Sequence, residues 1–341
     1  MSVTIKDVAA RAGVAPSTVS RVISDSPHIS EKTKRKVHKI MEEMGYHLNY
    51  NARNLAQQST KTIGIVMKNS TEESMFNTFF PEVIRGISGL CSKYDFSISL
   101  TTGESEEEIF NDTVKMVRGK RVDGMIVLYS KKDDRVVPYL IESGIPFVVI
   151  GKPLIEPGKI MFVDNDNVQA TKEATDYLLN IGHTKIAFIG EDTEFEVGEA
   201  RLNGFSQAMR EKHLDIPELY LKNLQPNADH GQQVISELME LADPPTALVV
   251  TNDLNALILL TALSEKNIKV PEDMSLISFN NSIISRISNP PLTTVDTQIF
   301  QLGYESASCL IELVKDPSIF KKSVVIPTSI VERKSCVAPR I

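Results

Sequence analysis

Apolar residues near the N-terminus recur at helical spacing. Ile5, Val8, Ala9 and Ala12 share one face, and Gly13 follows where a left-handed residue ends a helix. Thr4-Ile5-Lys6-Asp7 has the spacing of a capping box, so the first helix is expected to start at Thr4. After a short turn, Pro16 suits the first position of a second helix, because its missing N–H has no partner there. That helix is expected over 16–24, with Val19, Val22 and Ile23 inward. A third, over about 31–44, buries Val37, Ile40, Met41 and Met44. From Lys61 the pattern changes to apolar runs at 63–67, 96–100, 124–128 and 147–150, then at 186–189, 247–250 and 275–279. Continuous Val/Ile-rich runs separated by helix-length spacers imply parallel sheets covered on both faces, and two such series imply two lobes. Ligands bind beyond the carboxyl ends of strands in open α/β sheets, so two facing lobes make a cleft. The expected fold is an all-α helix-turn-helix head, residues 1–45, joined through 46–61 to a two-lobed α/β body, residues 62–341.

The second helix turns Ser17, Thr18, Ser20 and Arg21 outward. Short hydroxyls let a helix backbone enter the major groove, and an Arg fork can bond guanine O6 and N7 together. A three-helix unit of this size also serves as a protein-docking module, and the third helix's Lys32, Lys34, Arg35, Lys36 and Lys39 contact phosphates or form a solvated face. The joining segment, Leu48 to Thr60, is polar and weakly helix-forming, with Leu55 its large apolar residue near the end. It is either a linker or a hinge helix over about 49–57 that folds on DNA and wedges Leu55 into the minor groove.

The formal charge of −7 argues against nucleic acid until it is divided. Residues 1–60 hold nine Lys/Arg against five Asp/Glu, leaving 28 against 39 in the remainder, so a basic head sits on an acidic body. Cys91, Cys309 and Cys336 are too scattered for a disulfide framework or zinc cluster and read as reduced thiols. No apolar run reaches the roughly 18–20 residues that cross a bilayer, and MSVTIKDVAA lacks the order of a signal peptide, so a cytoplasmic protein is expected. No phosphate loop, EF-hand spacing or nucleophile elbow is present; no metal, cofactor or enzymatic activity is expected.

Thr4 to Ala9, Gly13-Val14, Ser17 to Ile23 and Asn51-Ala52-Arg53-Asn54-Leu55-Ala56 together resemble the signature of the lactose-repressor/galactose-repressor (LacI/GalR) family, and the resemblance runs the length of the chain. It implies DNA contacts from Thr4, Ser17, Thr18, Ser20, Arg21, Asn51 and Arg53, with Leu55 as the intercalating leucine. Pro16-Ser17 departs from several relatives, which carry larger base-reading side chains there. The family's body crosses between lobes three times, here giving one lobe at about 62–162 and 293–322 and another at 163–292 and 323–341. Phe79 and Phe80 match an aromatic pair of relatives, Arg201 the ligand-binding arginine, and Asn280 the place of an aspartate that bonds effector hydroxyls. Asn252 and Asp253 follow a strand, and Asp166 either faces the cleft or caps the next helix. Phe79 and Phe80 also read as core, Asp253 as a helix cap and His183 as structural. Gly119 to Gly124, Ile150 to Pro153 and Val163 to Ala170 resemble the maltose-operon repressors of Gram-positive bacteria. That implies a homodimeric repressor on double-stranded operator DNA, with maltose or a malto-oligosaccharide as effector and Lys152 in its pocket.

Overall fold

The computed structural model describes residues 3–23, 26–46, 59–68, 77–190, 193–225 and 227–340. The expected hinge, with Asn51, Arg53 and Leu55, lies outside the described residues. The chain divides into two units, 1–59 and 60–341.

In the first unit, α1 (Ile5–Ala12), α2 (Pro16–Ile23) and α3 (Glu31–Glu43) enclose Val8, Ala9, Ala12, Val19, Val22, Val37 and Met41. The capping box forms at Thr4, where the Asp7 carboxylate accepts from the Thr4 N–H at 2.8 Å and its hydroxyl at 2.6 Å. Those bonds hold the Asp7 carboxyl below the usual carboxylate range. Gly13, at φ 66°, closes α1 in the left-handed region that its missing Cβ permits. The Ser30 hydroxyl caps α3, accepting from the Thr33 N–H at 3.3 Å.

The second unit carries two six-stranded sheets. The first contains β1 (Thr62–Val66), β2 (Ser97–Leu100), β3 (Gly124–Val127), β4 (Phe147–Ile150), β5 (Met161–Asp164) and β11 (Ser323–Val325). It is parallel throughout, in the order β11-β5-β4-β3-β1-β2. Helices α4 (Phe79–Lys93), α5 (Glu106–Arg118), α6 (Val136–Ser143) and α12 (Ile299–Lys315) belong to this lobe. The second sheet contains β6 (Ile186–Gly190), β7 (Leu221–Asn223), β8 (Ala247–Val250), β9 (Ser275–Phe279), β10 (Thr293–Asp296) and β12 (Ser329–Val331). Its order is β12-β10-β9-β8-β6-β7, with β12 antiparallel to β10. Its helices are α7 (Asn167–Asn180), α8 (Glu196–Glu211), α9 (Ala228–Met239), α10 (Asp253–Glu265) and the short α11 (Ile283–Ile287). The buried runs of β1, β3, β6, β8 and β9 explain their continuous apolar sequence: both sheet faces are covered.

Sheet pairing moves the expected lobe borders. β10 belongs to the second lobe, because it pairs with β9 and buries Val295 beside Phe279. β11 belongs to the first, because it pairs with β5 and packs Val324 on that lobe's core. The crossings therefore fall just after β5, β10 and β11. Asn165 ties all three, its side-chain amide donating to the Thr297 carbonyl at 3.2 Å and the Ile326 carbonyl at 2.9 Å. In the first lobe α4 and α12 touch backbone to backbone. A Cβ added to Gly303 would lie 2.1 Å from the Val83 carbonyl oxygen, and one on Gly86 2.1 Å from that of Phe300.

Candidate functional site

The head offers one face for DNA. Val19 and Val22 of α2 point into the core, leaving Ser17, Ser20 and Arg21 exposed and Thr18 half-buried. On α3, Lys32, Arg35, Lys36 and Lys39 are exposed, whereas Lys34 is half-buried and meets Glu31 at 3.2 Å. Thr4 is exposed, with its hydroxyl engaged by Asp7.

The second candidate site is the cleft of the body. Segments following β3 and β6, from opposite lobes, meet there as a small antiparallel clasp. Lys131 bridges Phe195, the Lys132 N–H donates to the Glu194 carbonyl at 2.9 Å, and the Glu196 N–H donates to the Ser130 carbonyl at 3.0 Å. Lys68 lies over the Phe195 ring at 3.9 Å, Lys131 pairs with Glu106 and Glu194, and Lys132 pairs with Glu199 at 2.8 Å. Charges and an aromatic face thus hold the two lobes together on this side.

Arg201 on α8 is buried, 4.7 Å from the Phe279 ring centre, and its guanidinium donates to the Thr251 carbonyl at 2.6 Å. Two carboxylates feel its field. Burial pushes the Asp164 carboxyl up to about 7, the Glu196 carboxylate adding to the rise while Arg201 opposes it. Burial also raises Glu196, with Lys152 and Arg201 pulling it back. Lys152 is exposed, contributing charge from the first lobe. Among the described residues, Glu196 Oε2 and Thr251 Oγ1 are shielded from solvent without a hydrogen-bond partner. Buried polar atoms ordinarily have one, so each of these two oxygens carries an unmade hydrogen bond.

The other expected cleft residues divide by what they already hold. Asp253 is fully buried and accepts from the Ser278 hydroxyl, the Thr294 hydroxyl at 2.9 Å and the Ser282 N–H at 2.7 Å, so it braces the ends of β9 and β10. Asn252 caps α10, accepting from the Asn255 N–H at 2.7 Å. Asp166 is exposed and caps α7 through the Gln169 N–H at 2.9 Å. Phe80 sits in the first-lobe core, and Phe79 packs against it edge-on at 5.5 Å. Asn280 adopts φ 99° after β9 and accepts from the Thr297 hydroxyl at 3.2 Å. It also lines a cavity of about 740 Å³ between the start of α4, the start of α12 and the loop after β9, beside Thr78, Glu82, Arg85 and Asp296. His183 bonds the Thr246 hydroxyl at 2.8 Å and the Val337 carbonyl at 2.9 Å, and burial lowers its pKa. Sequence reasoning missed Glu196, Thr251 and Asp164 as cleft groups. Their signal was position: each lies at or beyond the carboxyl edge of a strand, and none is needed for apolar periodicity.

Among the described residues no group of three His, Cys, Asp or Glu side chains could hold a metal, and no helix is long and apolar enough to cross a membrane. Residues 4–49 match the model of the bacterial regulatory proteins of the lacI family, and residues 175–336 match a periplasmic binding protein-like domain. The chain is 35% identical over 333 residues to the HTH-type transcriptional regulator MalR of Staphylococcus xylosus, covering 98% of each. A transcriptional regulator LacI from Bacillus cereus subsp. cytotoxis is 44% identical, with a TM-score of 0.79 over 81% of this chain and 98% of that one. The lac repressor dimer bound to operator, at 24% identity, shares the fold with a TM-score of 0.85 over 99% of this chain and 100% of that one. The protein therefore belongs to the lacI family of bacterial regulatory proteins and is a DNA-binding transcriptional regulator, not an enzyme.

Proposed function

We propose that the protein is a homodimeric repressor of sugar-utilisation genes, released from its operator when maltose or a short malto-oligosaccharide enters the interlobe cleft. Two heads would read half-sites of a near-palindrome, since a two-fold dimer matches a two-fold site. Ser17, Ser20 and Arg21 lie on the exposed face of α2, as groove reading requires. Thr4, Thr18, Asn51 and Arg53 would add contacts at the same DNA, and Leu55 would wedge the minor groove. The relative named MalR supports the maltose assignment.

The observation that carries an effector reading is the pair of solvent-shielded, unpartnered oxygens, Glu196 Oε2 and Thr251 Oγ1, on residues that Arg201 reaches by charge and by a bond to the Thr251 carbonyl. Sugar hydroxyls both give and accept hydrogen bonds, which suits a site mixing a guanidinium, carboxylates and hydroxyls. Ligand release of DNA requires that sugar bind one lobe arrangement better than the other, and groups from both lobes near Glu196 provide that difference. The test is anisotropy of a labelled near-palindromic site, selected from random DNA by the full-length protein, titrated with maltose. Weakened binding is expected; unchanged affinity would sink the maltose assignment, and strengthened affinity the release mode.

A further inference from the structure

Glu196 is placed unlike the other acidic residues of α8. Its own N–H is fixed across the cleft to the Ser130 carbonyl of the opposite lobe at 3.0 Å. Its carboxylate is coupled to Lys152 from the first lobe and to Arg201 from its own helix, and it raises Asp164 at the end of β5. A group with electrostatic neighbours on both lobes lies in the cleft between them. Glu199, one turn on, instead pairs with Lys132 at 2.8 Å, and Glu211 with Lys172 at 2.8 Å. The Glu196 Oε2 atom has no hydrogen-bond partner among the described residues, although it is shielded from solvent.

A second observation points the same way. Thr251 is fully buried and its hydroxyl is also unpartnered, while its carbonyl accepts from Arg201. Arg201 thus bonds the backbone of one of these residues and acts by charge on the other, and the two oxygens differ in kind: the carboxylate only accepts, while the hydroxyl can donate or accept. An unmade hydrogen bond to a buried charge is costly, so the arrangement is complete only when a donor arrives. Lys152 and Arg201 already supply positive charge there, and a cationic ligand would meet them unfavourably. An uncharged hydroxyl meets no such opposition.

Resting on the sugar reading above, we infer that Glu196 is a specificity-determining contact, its Oε2 accepting a hydroxyl of an uncharged sugar held beside Arg201. The carboxylate then selects a hydroxyl at one ring position, because a deoxy analogue leaves it unpaired. Exchange for Gln keeps the shape and removes the charge.

The test is calorimetric titration of the full-length protein and Glu196→Gln with maltose, cellobiose, ribose, glucose 6-phosphate and a series of monodeoxy maltoses. The wild type is expected to bind maltose and to lose affinity for one deoxy analogue. Glu196→Gln is expected to bind maltose roughly ten- to hundred-fold more weakly, as loss of a bond to a charged group implies, and to treat that analogue and maltose alike. The thermal midpoint of the ligand-free variant is measured alongside, so that a loss of folding is told apart from a loss of binding. Equal maltose affinity in the two proteins overturns the role of Glu196 and leaves the sugar reading standing. Cellobiose or ribose binding instead, weakened by the substitution, upholds Glu196 and overturns maltose. Binding of glucose 6-phosphate alone, or of nothing, overturns both.

Discussion

The two lobes share one architecture and differ in what they bury. In the first, the core is Ile63, Ile65, Ile87, Ile126, Val148 and their apolar neighbours, and helices α4 and α12 close on it through Gly86 and Gly303. In the second, the interior also takes His183, Arg201, Asp253, Ser275, Ser278, Thr293, Thr294 and Ser335, most of them hydrogen-bonded to strand ends or loops. Apolar packing is non-directional and tolerates sliding, whereas a satisfied polar network fixes positions. The first lobe is thus held by shape, and the second by bonds that set the loops facing the cleft. The second supplies Glu196, Arg201, Thr251 and Asn280; the first supplies Asp164 and the charge of Lys152.

The contrast can be broken most severely at Asp253. Its carboxylate gathers donors from β9, β10 and the loop after β9, and Asp253→Ala would leave them buried without an acceptor. Destabilisation of about 3–5 kcal/mol is expected in urea unfolding. A loss under about 1 kcal/mol would mean that the polar network is not what holds the second lobe. The corresponding blow to the first lobe is steric. Gly303→Ala puts a methyl 2.1 Å from the Val83 carbonyl, so α4 and α12 must part. Overpacking of this kind is expected to destabilise by about 1–3 kcal/mol, and a neutral outcome would show that this helix pair is not packed as tightly as the backbone approach implies.

How much of this was legible follows the same division. Long apolar strands announced themselves, because β1, β3, β6, β8 and β9 are buried on both faces and read as unbroken Val/Ile runs. β7, β11 and β12 did not: each has three residues and lies at a sheet edge, too short for any period to register. β10 was missed because Thr293 and Thr294 look like loop residues until Ser335, Arg333 and Asp253 are found bonded to their side chains and backbone. The capping box at Thr4 was readable, being set by four consecutive residues. The cleft was readable as a place and only partly as a list. Arg201 and Asn280 came from resemblance, and Asp166 and Asn252 turned out to cap helices. Glu196 looks in sequence like any acidic residue opening a helix, and only the partner lobe gives it its setting.

The smallest expected effect separates the lobes by pH. Asp164 ends a first-lobe strand, and its carboxyl sits at about 7 through burial and the Glu196 charge. The unfolded chain would hold it near about 3.9. Between those values the folded protein keeps a proton that the unfolded chain releases, so stability falls as pH rises through this window and levels off above about 7. Asp164→Asn removes that titration while retaining an oxygen acceptor and similar size. The variant should therefore match the wild type near pH 4, its Oδ1 still accepting from Asn167, and exceed it above pH 7 by about 1–2 kcal/mol once solvent screening of this half-buried group is allowed for. Thermal unfolding from pH 5 to 8 reads the slope directly. Parallel pH profiles in the two proteins would mean that Asp164 stays ionised throughout that range, so that the first lobe adds a fixed negative charge beside Glu196.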